Sequence, residues 1–167
     1  MNEVNGAMVT YVYANSLSFI KRYTDGLTTE ESLLQPPDGG NCLNWVLGHL
    51  AISRTVVLYL LDVPSFVTRA EYAAYIFGSA PITPEAVAAQ DITVHSLEKL
   101  LADLEHAQTL MATALADKSA ADLAVQFQDK DYTVAERLMY MAFHEGFHTG
   151  QLEHLRRLAR PDEEPLW

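Results

Sequence analysis

The sequence predicts an all-α fold, a four-helix bundle with a long connection between its second and third helices. Three observations lead there. Apolar residues recur at steps of three and four along four long stretches. Pro and Gly punctuate the chain between those stretches. No segment sustains the period-two alternation of a half-buried strand. A chain of 167 residues is the size of one domain, so residues 1–167 are read as a single helical-bundle unit.

The first helix is expected from about Glu3 to Gly26. Val4, Met8, Tyr11, Val12, Asn15, Phe19 and Tyr23 share one helical face, which reads as the buried one. Pro36-Pro37-Asp38-Gly39-Gly40 cannot lie inside a helix and marks a loop. The second helix starts near Asn41, a good cap residue, and runs to about Asp62. It is apolar on most sides, so it should be the most buried. Residues 65–92 are less regular. Arg69 to Phe77 reads as a short helix, and Thr83-Pro84-Glu85 as another helix start with Pro at the first helical position.

The third long helix covers about Thr93 to Asp117. Val94, Leu97, Leu101, Leu104, Gln108, Met111 and Leu115 form its seam. Residues 119–131 form a polar connection. Thr133 then caps the fourth helix, with Glu136 three residues on as a capping box, and Pro161 ends it after about Ala159. The tail is acidic except for Trp167, which is available to dock on the body or on a partner.

Acids outnumber bases 22 to 11, a net charge of −11. No basic face for nucleic acid is expected, and an anionic membrane surface is disfavoured for the same reason. The most apolar stretch, residues 42–61, carries Arg54 at its middle, which argues against a membrane span. The single cysteine, Cys42, excludes an internal disulfide and a Cys-rich zinc site. The first twenty residues hold no Lys or Arg, so no secretory leader is expected and the cytoplasm is the expected compartment.

The chemistry concentrates in Phe143-His144-Glu145-Gly146-Phe147-His148-Thr149-Gly150-Gln151. Val134, Leu138, Met141, Leu152 and Leu155 define the core side of the last helix. That line passes through Glu145 and His148, with His144 beside them. Burying such groups unpartnered costs about 1–3 kcal/mol each, so something in the bundle should satisfy them. His144 and His148 stand one helical turn apart, a spacing that lets two imidazoles reach one cation. Two core histidines, hydrogen-bonded separately, explain the same spacing. His49, on the most buried helix, should be neutral, the form that binds metal, and makes a three-His set with open positions. Such a set suits Zn²⁺, Ni²⁺ or Fe²⁺ better than Mg²⁺ or Ca²⁺.

Gly48-His49, His144-x-x-x-His148 and Gly150-Gln151, with the helix-loop layout, resemble the DinB-like superfamily of proposed metal-dependent enzymes over nearly the whole chain. The resemblance implies an up-down-down-up bundle and a divalent metal on His49, His144 and His148. It also implies a small-molecule substrate and, often, a homodimer. Relatives include S-transferases and an isomerase that use low-molecular-weight thiols, and proposed hydrolases. The expected activity is therefore a metal-activated water or thiol meeting an electrophilic small molecule.

Two alternatives stay open at this point. His144-Glu145-Gly146-Phe147-His148 also fits the His-Glu-x-x-His of zinc metalloproteases. A non-catalytic dimeric metal-binding module or scaffold fits the same histidines. Glu145 has a catalytic reading, as general base near the metal, and a bland one, facing away from it. Asn15 and Gln108 interrupt apolar stripes; they either line the pocket or are buried amides that fix register. Cys42 reads as a packing residue, and His95, His106 and His154 as surface or packing residues.

Overall fold

The computed structural model describes residues 3–79, 82–89 and 92–164. Trp167 and its proposed docking lie outside the described residues. The helices run α1 (Gly6–Thr24), α2 (Thr29–Ser32), α3 (Leu43–Leu60), α4 (Pro84–Ala88), α5 (Leu97–Leu115), α6 (Ala120–Leu123) and α7 (Val134–Ala159). Among the described residues there is no strand, only an isolated bridge between Gln126 and Thr133. The four long helices are the bundle.

Local chemistry sets their ends. Asn5 caps α1 by accepting from the Met8 N–H at 3.0 Å. The capping box of α7 forms as expected: Thr133 Oγ1 accepts from the Glu136 N–H at 3.2 Å, and Glu136 Oε2 accepts from the Thr133 N–H at 2.7 Å. Thr83 caps α4 with Pro84 in its first turn. At α3 the cap position falls to Cys42, not Asn41, and no side chain caps it. The helix expected over Arg69 to Phe77 reduces to a 3-10 turn, Ala73–Tyr75.

Contacts between helices fix the topology. Gly6 N–H donates to Lys118 O at 2.9 Å, and Lys21 pairs with Glu105 at 2.7 Å, so α1 and α5 are antiparallel. A Cβ on Gly6 would stand 2.0 Å from Leu115 O, which only glycine permits. Ser16 Oγ meets Thr149 Oγ1 at 2.8 Å and Arg156 donates to Tyr23 O at 3.1 Å, so α1 and α7 run parallel. Asn44 donates to His95 O at 3.0 Å and Arg54 to Leu104 O at 2.7 Å, so α3 and α5 run parallel. The order is up-down-down-up, with residues 62–96 carrying the chain from α3 back to the start of α5.

α3 is the central helix, with thirteen of its eighteen residues buried. It is also long and apolar enough to cross a membrane by length and composition, but 72% of that span is buried inside the bundle. Its apolar character is accounted for by the core. On α1 the buried face differs from the expected one. Val9, Tyr13, Ser16 and Ile20 are buried, whereas Met8, Tyr11, Val12 and Phe19 are exposed; of the expected set, Tyr23 is buried. Apolar residues line both sides of this helix, so periodicity alone does not say which side faces inward.

The core has two apolar halves. One gathers Ile20, Leu47, Leu50, Tyr75, Leu104 and Leu152. The other gathers Val9, Tyr13, Leu58, Met111, Leu115 and Leu138. Between them lies a polar layer that holds the Ser16–Thr149 pair and an ion pair between Arg54 and Glu145.

Candidate metal centre

His49 sits on α3 and His144 and His148 on α7, where the two antiparallel helices face each other. The three rings stand 4.6 to 5.1 Å apart, centroid to centroid. One ligand nitrogen from each lies within 4.8 Å of the others. No Asp, Glu or Cys joins this group among the described residues.

Hydrogen bonds aim two of the rings. His49 Nδ1 lies 2.9 Å from Tyr75 O. A carbonyl only accepts, so His49 carries its proton on Nδ1 and turns its Nε2 lone pair toward the other two rings. His148 Nδ1 lies 2.7 Å from Gln151 Oε1, which frees Nε2 in the same way. His144 Nε2 approaches His49 Nε2 to 3.2 Å, and its Nδ1 is buried with no hydrogen-bond partner. Two ligands bonded to one tetrahedral centre at about 2.05 Å stand roughly 3.3 Å apart. The His49–His144 spacing therefore fits a shared cation.

Electrostatics points the same way. Burial lowers the His49 pKa, and the nearby His148 adds to that against the raising effect of the Tyr75 carbonyl. Burial also lowers His148, partly offset by Gln151. His144 falls to about 4, from burial first and then from His148, His49 and Arg137. All three rings are neutral at pH 7. Trp45 lies flat on His49, with centroids 4.6 Å apart and planes at 10°, and Phe147 packs edge-on against His148 at 5.2 Å. Three neutral nitrogen donors with two fixed tautomers suit Zn²⁺, Ni²⁺ or Fe²⁺.

Glu145 points away from the histidines, as its facing-away reading had it and against the general-base one. It is 3% exposed and receives Arg54 Nη2 at 2.5 Å and Nε at 3.1 Å. Arg54 is fully buried and also donates to Leu104 O at 2.7 Å and, more weakly, to Tyr13 O at 3.5 Å. Both oxygens of this carboxylate are taken up by the guanidinium, and neither joins the three-His group. The physical reason is the 100° turn between helix neighbours, which sends His144 to one side and Glu145 to the core.

The two pocket candidates, Asn15 and Gln108, lie on α1 and α5, neither of which carries His49, His144 or His148. Asn15 donates to Tyr11 O at 2.9 Å on its own exposed side of α1. Gln108 lies on α5 with Oε1 buried and unpartnered, and its helix does not carry the histidines. Cys42 is 1% exposed, and burial pushes its thiol pKa up, as suits a packing residue. His106 and His154 are exposed, while His95 is buried and packs against Tyr72 and Tyr75. Sequence reasoning missed Arg54, Tyr75 and the ring-aiming role of Gln151. Arg54 left a signal: a lone cation on an apolar helix needs a buried anion, and Glu145 is the acid on the core line of α7.

Fold and site together define a helical bundle of up-down-down-up order with a three-His cluster able to hold a divalent metal. A family model described as the DinB superfamily matches residues 19–152, and the chain belongs to that superfamily. A crystal structure of a conserved protein from Enterococcus faecalis has the same fold, with a TM-score of 0.72 over 93% of this chain and 97% of that one, at 17% identity. No curated protein matches the chain.

Proposed function

We propose that this protein is a metal-dependent enzyme that turns a water or a low-molecular-weight thiol on an electrophilic small molecule. The observation that carries the reading is the convergence of three neutral imidazoles, two of them with Nδ1 tied back to an acceptor and Nε2 carrying the lone pair. A divalent metal held there would supply Lewis acidity, lowering the pKa of a water or thiol. With no carboxylate in the ligand set, the cation keeps its full charge for that purpose. The chain's own residues do the rest. Tyr75 O and Gln151 hold the rings in orientation, while Trp45 covers the face of His49 with apolar surface. Water supports a hydrolase and thiol an S-transferase; nothing in the ligand set favours one.

We also infer that two copies associate through the outer faces of α1 and α7. From Gly6 to Ile20, α1 carries no charged residue on any side. From Met139 to Gly150, the one acid of α7 is the buried Glu145. Met8, Tyr11, Phe143 and Phe147 are 43%, 71%, 73% and 59% exposed there. On a chain of net charge −11, this uncharged face lets a like chain approach without bringing acids together.

The first test is metal content by mass spectrometry on tag-free protein, wild type beside His49→Ala. About one divalent ion per chain in the wild type, lost in the variant, supports the reading and opens a screen of thiols, esters and amides. No uptake after incubation with Zn²⁺, Ni²⁺, Mn²⁺ or Fe²⁺ would overturn it.

A further inference from the structure

We propose that Gly48 and Tyr75 form a clamp that sets the tautomer and direction of His49, making Tyr75 a positioning residue of the metal centre. This rests on the metal-centre reading above. Tyr75 ends the 3-10 turn Ala73–Tyr75, in the connection between α3 and α5, and is fully buried. Its ring lies directly on the backbone of α3 at Gly48. A Cβ at that position would stand 2.1, 2.3 and 2.5 Å from three ring carbons, where ordinary contact begins near 3.4 Å. Glycine is therefore required at 48 for the turn to sit where it does.

The ring is fixed at its far end as well. The Tyr75 hydroxyl accepts from the His95 N–H at 2.7 Å and donates to Asn44 Oδ1 at 3.0 Å. The His95 ring stacks on Tyr75 at 5.6 Å and 19°. Asn44 in turn donates to His95 O at 3.0 Å and to Ser32 Oγ at 3.2 Å. The side chain is thus held by α3, by the start of α5 and, through Asn44, by α2. The same residue's carbonyl takes the His49 Nδ1 proton at 2.9 Å, with Trp45 flat against the ring. A histidine without such an acceptor exchanges between tautomers, and fewer molecules then offer Nε2 to a cation. The glycine that precedes His49 acts on the ligand through Tyr75, a residue 26 positions beyond that histidine.

The test uses the full-length chain. Long-range ¹⁵N–¹H NMR of the metal-free protein reads the His49 tautomer, and competition titration reads affinity for Zn²⁺ alone. Wild type should show His49 protonated on Nδ1. Gly48→Ala should show mixed tautomers and Zn²⁺ affinity lower by roughly 10–100-fold. Tyr75→Phe keeps the ring and carbonyl but loses both hydroxyl contacts. It should shift both readouts in the same direction by less, and it keeps the proposal testable if Gly48→Ala fails to fold. Unchanged tautomer and unchanged affinity in folded variants would reduce both residues to packing and overturn the clamp. A wild type with His49 on Nδ1 that takes up no Zn²⁺ would overturn the metal reading and leave the clamp standing.

Discussion

His144 shows how burial tunes a single residue. Its pKa, about 4, lies below the ordinary value of 6.5. The folded state therefore binds fewer protons than the unfolded chain once pH falls below about 6.5. Its contribution to stability is present above that value and is lost as pH falls toward 4; the lowered His49 and His148 act with the same sign. Metal-free wild type should accordingly lose denaturation midpoint between pH 7 and pH 5. His144→Phe should show a shallower loss over that interval in the same urea titrations. An identical slope would mean that the ring is already solvated. The three histidines were legible in the sequence because a helix converts a spacing of four into proximity, and because a histidine on the most apolar helix has few other uses. Their supports were less so. Gln151 is one turn from His148 and could be read as a partner, whereas Tyr75 lies in an irregular segment whose path follows from no periodicity.

At the scale of elements, Arg54 ties the bundle together. Its guanidinium reaches Glu145 on α7, Leu104 O on α5 and Tyr13 O on α1 from its own place on α3. Removing one partner of such a pair strands a buried charge, at a cost of about 3–5 kcal/mol. Glu145→Leu and Arg54→Met should each destabilise by about that amount in chemical denaturation. The double variant should regain most of the loss, since an apolar pair of similar volume leaves no charge behind. Additive losses would show that the two side chains are not coupled. Glu145→Gln should keep its metal, because the carboxylate faces Arg54 and not the histidines. The helices themselves were readable almost to their caps, and Thr133 with Glu136 marked the start of α7 correctly. The inward face of α1 was not. Its stripe through Met8, Tyr11 and Phe19 is as apolar as the buried one, and Ser16 faces the core because Thr149 is there to meet it. A hydroxyl pair between two helices leaves no trace in either helix's own pattern.

That misread stripe matters for the whole molecule, because it and Phe143 and Phe147 make up the uncharged outer face. Light scattering coupled to size exclusion should give twice the chain mass for wild type. Phe143→Glu/Phe147→Glu should give a monomer that retains the helical signal, since both side chains point to solvent within one chain. A monomeric wild type at tens of micromolar would remove the dimer from the account. The polar layer between the two apolar halves also explains why the core of α7 could not be read as one continuous stripe. Its middle belongs to the ion pair and the hydroxyls.

The ion pair also bears on the order in which the chain can close as it leaves the ribosome. Arg54 on α3 is made before its carboxylate partner, which lies on α7. Until Glu145 arrives, sealing the other three helices around the guanidinium would bury a lone charge, so the growing chain keeps that side of α3 wet. The same late helix brings two of the three imidazoles. Synthesis thus withholds both the final closure and the capture of a cation until α7 is made.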